Sequence, residues 1–327
     1  MKEAIYYKKR SNKRVHCFLC PQNCLIANGK RGICKARINQ EGKLYSENYS
    51  KVSAIAIDPI EKKPLYHFYP GTKIISIGSF GCNLSCSYCQ NWQISQRKPH
   101  LEDISTDKLI LLAKEGKSNG IAYTYSEPSI CFEYLAEAFP KAHRNNLKNI
   151  MVSNGYLNKE ALFDLIPYLD AVNIDLKAFN NDFYNDICNG SIKAVINNIR
   201  YLYESNIHIE ITTLIIPDTN DSLAELEKLF IFLSSLSKDI PLHLSRYFPN
   251  YKMKKAATSI KVMKDAFHLA KKYLNYVYLG NVDIADSRSS ICPQCGELII
   301  NRKGYYIEDY TNKGQCRACT YQLAGKF

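Results

Sequence analysis

Three cysteines close together in the middle of the chain could bind an iron–sulfur cluster. Cys82, Cys86 and Cys89 form a C-x3-C-x2-C pattern, which places three thiols within eight residues. A four-iron cluster requires four ligands, so three cysteines would leave one iron with an open coordination position. An open position on a bound metal is where substrate chemistry takes place, as it is in catalytic zinc sites. The alternative is three core cysteines, or a redox pair beside an unrelated third.

A second set of cysteines, near the C-terminus, has the spacing of a zinc ribbon. Cys292, Cys295, Cys316 and Cys319 form two C-x2-C pairs separated by 20 residues. Two such pairs supply four thiolates to a closed tetrahedral site. A metal would also stabilise a segment that is too short to bury a core of its own. The pattern predicts structural zinc, with a rubredoxin-like iron site or an auxiliary cluster as the alternatives.

A third set lies near the N-terminus, where Cys17, Cys20, Cys24 and Cys34 fall within 18 residues. Four thiols so close together in a long chain without a secretion signal also predict a bound metal. The spacing is compatible with zinc or with a second iron–sulfur cluster. We favour zinc, because the set is complete and leaves no open coordination position.

Length, charge and cysteine usage favour a cytoplasmic protein. The chain has 327 residues, and no apolar stretch approaches the roughly 20 residues of a membrane span. The N-terminus lacks the apolar segment of a signal peptide. Eleven of the 13 cysteines fall in the three sets, and we predict that Cys131 and Cys188 are core residues. The formal net charge of +12 would fall by about 4 if two zinc ions bound eight thiolates, which leaves a solvated basic surface.

Between residues 73 and 281, short apolar runs alternate with longer segments of helical spacing. The predicted strands are Lys73–Ser79, Gly120–Tyr125, Asn149–Ser153, Ala171–Leu176, Ile207–Ile215, Pro241–Arg246 and Asn275–Leu279. The predicted helices are Thr106–Asn119, Ser129–Asn146, Lys159–Leu169, Ser191–Ser205, Ser222–Ser235 and Thr258–Tyr273. This alternation is typical of parallel βαβ units in an α/β fold. The flanks are cysteine-rich, so we divide the chain into an N-terminal metal-binding segment of residues 1–65, a core of residues 66–285 and a zinc-ribbon-like segment of residues 286–327.

Polar residues follow every predicted strand. The cysteine loop follows the first strand, and the groups after the others are Ser126 and Glu127, Asn154 and Gly155, Asp175 to Lys177, Asp218, Arg246 and Tyr247, and Asn281. The carboxyl ends of parallel strands share one face of the sheet, and α/β enzymes place their active sites at that face. The sequence therefore predicts a site there that includes the cysteine loop.

The cysteine loop, with Tyr88 between its second and third cysteines and Gln90–Trp92 behind it, resembles that of the radical S-adenosylmethionine (radical SAM) superfamily. The resemblance covers residues 70–285 and implies a partial (β/α)6 TIM-like barrel. It implies a [4Fe-4S] cluster held by Cys82, Cys86 and Cys89, with S-adenosylmethionine on the fourth iron. One electron from the cluster would cleave S-adenosylmethionine, and the resulting 5′-deoxyadenosyl radical would take a hydrogen from a substrate. In such enzymes the protein orients and shields the cofactors.

The polar residues after the strands extend the resemblance. Ser126 and Glu127 stand where the superfamily has a Gly-Gly-Glu segment. The groups at Ser153 and at Asp175 look like elements of glycyl-radical-enzyme activating enzymes that bind the methionine or the ribose. A carboxylate and an ammonium group suit a zwitterionic ligand. The implied cofactor-contacting residues are Tyr88, Ser126, Glu127, Ser153, Asn154, Asp175, Lys177 and Arg246.

Over its whole length the chain resembles the radical SAM member of the AmmeMemoRadiSam system. The segments that carry this resemblance are Cys17–Cys24, Arg31–Cys34, Asp58–Phe68, Asp175–Phe179 and the terminal cysteine pairs. It implies Memo-like and AMMECR1-like partner proteins, and an external reductant such as flavodoxin or ferredoxin. His67, within the third segment, could serve the cluster or pack in an interface.

Three functions compete at this point. The leading one is an activating-enzyme-like radical SAM oxidoreductase that acts on a partner protein or a small molecule. Modification of RNA or nucleotides is the second, because the chain is basic and ends in a predicted ribbon; binding to phosphates would then depend steeply on salt. The third is a non-enzymatic binding module whose metal sites are all structural, and such a protein would contain zinc but no iron.

Overall fold

The computed structural model describes all of residues 1–327, and residues 1–52 form small antiparallel sheets. Their strands are β1 (Lys2–Glu3), β2 (Tyr7–Lys9), β3 (Val15–Cys17), β4 (Leu25–Ile26), β5 (Arg37–Gln40), β6 (Lys43–Ser46) and β7 (Lys51–Val52). Strands β2, β3 and β4 form one sheet, and β1, β6 and β5 form another. The N-terminal cysteines lie at the end of β3 and in the connections that follow it.

An eight-stranded sheet forms the centre of the fold. The strands from here to residue 280 are β8 (Ala54–Pro59), β9 (Lys73–Gly78), β10 (Glu102–Asp103), β11 (Gly120–Tyr123), β12 (Lys148–Ser153), β13 (Ala171–Asp175), β14 (His208–Ile215), β15 (Leu242–Arg246) and β16 (Val277–Gly280). The central sheet has the order β16-β15-β14-β13-β12-β11-β9-β8, whereas β10 pairs with β7. Strand β8 is antiparallel to β9, and the seven others run parallel.

Helices follow the parallel strands, as the alternating pattern predicts. They are α1 (Trp92–Ser95), α2 (Thr106–Glu115), α3 (Phe132–Arg144), α4 (Lys159–Leu165), α5 (Ile192–Glu204), α6 (Leu223–Leu236) and α7 (Ile260–Ala270). Ser105 and Ser259 cap α2 and α7 by accepting hydrogen bonds from the first-turn amides, which satisfies donors that have no helical partner. No helix in the structure combines the length and the apolar character that crossing a membrane would require.

The predicted α/β class is confirmed, because apolar strands buried on both faces form a parallel sheet and pack with the helices in one core of 65 buried residues. The sheet has seven parallel strands, one more than the six of a (β/α)6 barrel. Strand β8 lies within residues 1–65, which we assigned to the N-terminal segment, yet it pairs with the central sheet along its whole length. The division into three segments stays a prediction.

The last part of the chain forms a three-stranded sheet of β17 (Ser290–Ile291), β18 (Leu298–Lys303) and β19 (Tyr306–Asp309). Arg302 on β18 donates a hydrogen bond of 2.6 Å to the carbonyl oxygen of Tyr66. His67 lies just before β9, where its Nε2 is 2.6 Å from the hydroxyl of Tyr278 and its Nδ1 is 2.8 Å from the carbonyl oxygen of Ala324. The sheet thus docks at the amino-terminal end of the parallel strands, and His67 packs in that interface.

Candidate active site

Cys82, Cys86 and Cys89 lie together at the carboxyl end of the central sheet, in the loop that follows β9. All three line one open cavity of about 1060 Å³, a volume that includes its mouth. The cavity opens to solvent at this face, so a cofactor and a substrate can enter it. The structure therefore has a cleft that contains the cysteine loop at the face where the sequence predicts the site.

A network of buried amides holds the first cysteine of the loop. The side chain of Asn83 donates a hydrogen bond of 2.6 Å to the carbonyl oxygen of Tyr156, and accepts one of 2.9 Å from the amide of Asn154. The Asn154 amide also lies 3.6 Å from the sulfur of Cys82, and the main-chain amide of Leu84 lies 3.4 Å from it. Such donors favour an anionic sulfur, which is the form that binds a metal.

The other two cysteines have different surroundings. The sulfur of Cys89 lies 3.3 Å from the hydroxyl of Ser95. A hydrogen bond from Cys188 lowers the pKa of Cys86 to about 7, and Lys177 adds to this effect although burial opposes it. Cys188 is fully buried, as predicted for a core residue, but it also touches the cysteine loop. Because metal ligands must be deprotonated, cluster binding here would release protons.

Glu127 ties the end of β11 to the end of β12. Its carboxylate accepts hydrogen bonds of 3.1 Å from the main-chain amide of Ser129, 2.7 Å from the hydroxyl of Ser153 and 2.9 Å from the main-chain amide of Asn154. Burial raises the pKa of Glu127, and these donors oppose that shift. The carboxylate thus orients Asn154, which in turn contacts the Cys82 sulfur.

An ion pair at the end of β13 supplies both signs of charge to the cavity. The ammonium group of Lys177 lies 3.0 Å from a carboxylate oxygen of Asp175, with 12% of the Lys177 side chain and 41% of the Asp175 side chain exposed. Burial opposes the charge on Lys177, but Asp175 and Cys86 outweigh it and raise the pKa well above its ordinary value. The lysine is therefore charged, and the pair can recognise a ligand that carries an amino group and a carboxylate.

Seven of the eight predicted cofactor-contacting residues line the cavity: Tyr88, Ser126, Glu127, Ser153, Asn154, Asp175 and Lys177. Arg246 is not among the lining residues. Its Nε donates a hydrogen bond of 2.6 Å to the carbonyl oxygen of Thr258, and its guanidinium lies 4.8 Å from the ring centre of Phe248. The structure therefore separates Arg246 from the other predicted residues, and its neighbour Ser245 faces the cavity instead.

Several lining residues that the sequence did not predict lie on the strands themselves. Thr212 and Leu214 of β14 both face the cavity, and the hydroxyl of Thr212 donates a hydrogen bond of 2.8 Å to the side chain of Asn173. Alternate residues of a strand point to the same side of a sheet. That period of two was the signal available, but it does not say which of the two sides faces the cavity.

The three cysteines of this site fit an iron–sulfur cluster better than a single ion. Cysteines that bind one ion bring their sulfurs close together, whereas those that bind a cluster each hold a different iron. Cys82, Cys86 and Cys89 surround a common cavity but do not form a compact group, since the only compact group of metal-binding side chains in the chain is the C-terminal one. The charged pair of Asp175 and Lys177 in the same cavity fits the amino-acid part of S-adenosylmethionine.

The four C-terminal cysteines form a metal site. Their sulfurs all lie within 4.8 Å of one another, with 3.6 Å between Cys292 and Cys319 and 3.7 Å between Cys295 and Cys316. Four thiolates at about 2.3 Å from one tetrahedral ion are separated by about 3.8 Å. The arrangement matches that geometry, and the docking of this sheet at the amino-terminal end of the strands separates it from the cavity.

Comparison with known proteins identifies the family. The model of the Radical SAM superfamily matches residues 76–230, which include the cysteine loop and the segments around Glu127, Asn154 and Lys177. The chain contains a radical SAM domain. This domain supports an enzyme that uses a [4Fe-4S] cluster and S-adenosylmethionine.

Sequence similarity to known proteins extends beyond that domain. The chain is 39% identical to an uncharacterised protein of Methanocaldococcus jannaschii over 92% of each chain. It is 25% identical to the pyruvate formate-lyase-activating enzyme of Staphylococcus aureus, over 51% of this chain and 71% of that protein. Homology to activating enzymes is therefore shown, while the AmmeMemoRadiSam resemblance stays a prediction.

Solved structures support the radical SAM fold. A radical SAM methyltransferase from Sphaerobacter thermophilus matches 71% of each chain, with a TM-score of 0.53 and 18% identity. SuiB of Streptococcus suis, bound to S-adenosylmethionine, matches 61% of this chain and 48% of that chain, with a TM-score of 0.51 and 13% identity. At these identities the similarity concerns the fold alone.

Proposed function

We propose that this radical SAM protein cleaves S-adenosylmethionine reductively and removes a hydrogen atom from a partner protein or a small molecule, as an activating-enzyme-like oxidoreductase. One observation carries the proposal: Cys82, Cys86 and Cys89 share a single cavity with the Asp175–Lys177 ion pair. When bound there, the cluster would supply the electron that cleaves S-adenosylmethionine to methionine and a 5′-deoxyadenosyl radical. The three thiolates would hold the cluster.

The other residues of the cavity position and shield the reactants. Lys177 would pair with the carboxylate of the methionine part and Asp175 with its amino group, because each then meets an opposite charge at short range. Part of the cavity wall is apolar and is formed by Leu84, Val152 and Leu214. Apolar walls exclude water, which strengthens the electrostatic interactions inside and protects reactive species.

Partners and the second metal are further parts of the proposal. The segments that resemble the AmmeMemoRadiSam system support Memo-like and AMMECR1-like proteins as partners, and flavodoxin or ferredoxin as the reductant. We propose zinc for the C-terminal cysteines, because their sulfur spacing fits a closed tetrahedral site. The site of these cysteines lies at the amino-terminal end of the strands, away from the cavity, which supports a structural role. Metal analysis of the purified protein would distinguish zinc from a rubredoxin-like iron.

Replacing one cluster ligand tests the function. Wild type and Cys86→Ala would be purified without oxygen, reconstituted with iron and sulfide, reduced with dithionite and assayed for 5′-deoxyadenosine. We expect wild type to form it and Cys86→Ala to form none, because one of three ligands is lost. Cys131→Ala is the matched control, since this buried thiol contacts the carbonyl oxygen of Asn48 rather than the cavity. Formation by Cys86→Ala at the wild-type rate would refute the cluster assignment.

A further inference from the structure

The four N-terminal cysteines surround a second cavity. Cys17, Cys20, Cys24 and Cys34 all line one small enclosed space, together with Arg37. Three of the four are buried and Cys24 is half-buried. They come from the end of β3, the connection between β3 and β4, and the turn before β5. Residues that are 17 positions apart in the chain thus converge on one point, which is the first requirement of a metal centre.

The arrangement of these thiols fits a cluster better than a single ion. The C-terminal set shows what a single-ion site looks like in this molecule, with all four sulfurs within 4.8 Å of one another. No three of the N-terminal cysteines form such a group, and neither do the three of the radical SAM loop. Because each thiolate of a four-iron cluster binds a different iron, its ligands must stand farther apart than those of zinc. In this respect the N-terminal set resembles the cluster loop and differs from the C-terminal set.

Arg37 is a second sign that an anionic group belongs in this cavity. The side chain is 1% exposed, and its Nη2 donates hydrogen bonds of 2.9 and 2.7 Å to the two carboxylate oxygens of Glu133. Its Nε and Nη1 are buried and have no partner in the protein. Buried donors of a charged group are costly to leave unpaired. The sulfurs of an iron–sulfur cluster are negatively charged acceptors that hydrogen bonds are known to tune.

The two cysteine loops touch each other. A methyl group added to Gly81, the residue before Cys82, would lie 2.4 Å from the carbonyl oxygen of Cys34. The main chains of the two loops are therefore in direct contact there. The side chain of Gln22, between two of the N-terminal cysteines, donates a hydrogen bond of 2.9 Å to the carbonyl oxygen of Asn83. The main chain and this one hydrogen bond thus connect the ligands of the two sites.

We propose that Cys17, Cys20, Cys24 and Cys34 bind a second [4Fe-4S] cluster instead of the zinc that the sequence favoured, with Arg37 donating hydrogen bonds to its sulfurs. The role that we propose for this cluster is electron relay, and it rests on the proposed function. A one-electron reductant of the ferredoxin or flavodoxin class reduces the N-terminal cluster and is itself oxidised. That single electron then passes to the cluster of the radical SAM loop, which returns the N-terminal cluster to its oxidised state. No proton or leaving group is required in either transfer.

Iron content and electron paramagnetic resonance test the proposal. After anaerobic reconstitution we expect about eight irons in wild type and about four in Cys82→Ser/Cys86→Ser/Cys89→Ser, since each four-iron cluster is held by its own cysteines. The dithionite-reduced signal of this variant should not change when S-adenosylmethionine is added. Cys20→Ser/Cys24→Ser should also hold about four irons, with a signal that does respond to S-adenosylmethionine.

The outcomes separate this proposal from the proposed function. The second cluster would be overturned if Cys82→Ser/Cys86→Ser/Cys89→Ser contained zinc but no iron, or if wild type contained about four irons and two zincs. Neither result depends on whether Cys20→Ser/Cys24→Ser folds. If Cys82→Ser/Cys86→Ser/Cys89→Ser keeps about four irons while wild type forms no 5′-deoxyadenosine, the second cluster stands and the proposed function fails. Arg37→Met/Glu133→Gln removes the buried pair together and should lower the midpoint potential of the N-terminal cluster; an unchanged potential would contradict the role of Arg37.

Discussion

Gln22 and Asn83 join two cysteine loops that are far apart in the sequence. The side-chain amide of Gln22 donates a hydrogen bond of 2.9 Å to the carbonyl oxygen of Asn83, and another of 2.7 Å to the carbonyl oxygen of Asn189. Asn83 directly follows the first cluster cysteine, and its own side chain contacts Asn154. One amide therefore couples the N-terminal sheets to the loop that holds the radical SAM cluster.

Gln22→Ala should loosen that loop. Two carbonyl oxygens would lose their donor, and we expect the free energy of unfolding to fall by about 1 kcal/mol, the usual net contribution of such bonds. Iron should also leave the radical SAM loop faster when a chelator is added. Urea unfolding and the rate of iron release measure the two effects. Lys30→Ala, at an exposed position of the same region, should change neither, and equal values for all three proteins would show that Gln22 does not hold the loop.

Lys177→Met should weaken the binding of S-adenosylmethionine without removing the cluster. A hydrogen bond to a charged group contributes about 1.5–3 kcal/mol, so we expect the dissociation constant to rise by roughly ten- to a hundredfold. Anaerobic calorimetry of the reconstituted protein measures the affinity, and iron analysis checks the cluster. Lys193→Met removes an exposed lysine of α5 and is the matched control. An unchanged affinity in Lys177→Met would exclude the lysine from the binding site.

Cys319→Ala should release the C-terminal metal while leaving the chemistry of the cavity intact. Three thiolates hold zinc less tightly than four, and the short sheet of β17–β19 depends on the metal for its stability. We expect loss of zinc, faster proteolysis after residue 285 and a lower melting temperature, with S-adenosylmethionine cleavage retained by the folded fraction. Ala318→Ser alters the exposed neighbouring residue and should behave like wild type. Complete loss of cleavage in well-folded Cys319→Ala would contradict a purely structural role.

The interface around His67 should weaken in mild acid. Burial lowers the pKa of His67 from its ordinary 6.5 to about 4, so between these values the unfolded chain binds a proton that the folded chain does not. The free energy of unfolding should therefore fall as the pH drops through this window, by about 3 kcal/mol in total. Unfolding by urea at pH 7, 6 and 5 measures the slope. His67→Gln should show a shallower slope, and parallel slopes for the two proteins would contradict the assignment.

Much of the core was predictable because its signals are local. The predicted strand Lys73–Ser79 is Lys73–Gly78 in the structure, and the predicted helix Ser191–Ser205 is Ile192–Glu204. The period of the hydrophobic residues and the polar residues between elements depend on only a few neighbouring positions. They can therefore be recognised without knowledge of the fold. Arg246 shows the limit of this reasoning. It lies at the end of a strand like the other polar residues, but its guanidinium donates a hydrogen bond to the carbonyl oxygen of Thr258 and does not line the cavity.

The sequence by itself determined the α/β alternation, the three cysteine sets and the face of the sheet that carries the radical SAM loop, since each depends on spacing along the chain. Tertiary structure decided which groups meet. It paired Lys177 with Asp175 and placed Cys188 beside Cys86. It also brought the four C-terminal sulfurs within 4.8 Å of one another. Such contacts depend on distances in space between segments remote in the chain, and one sequence holds no measure of those distances.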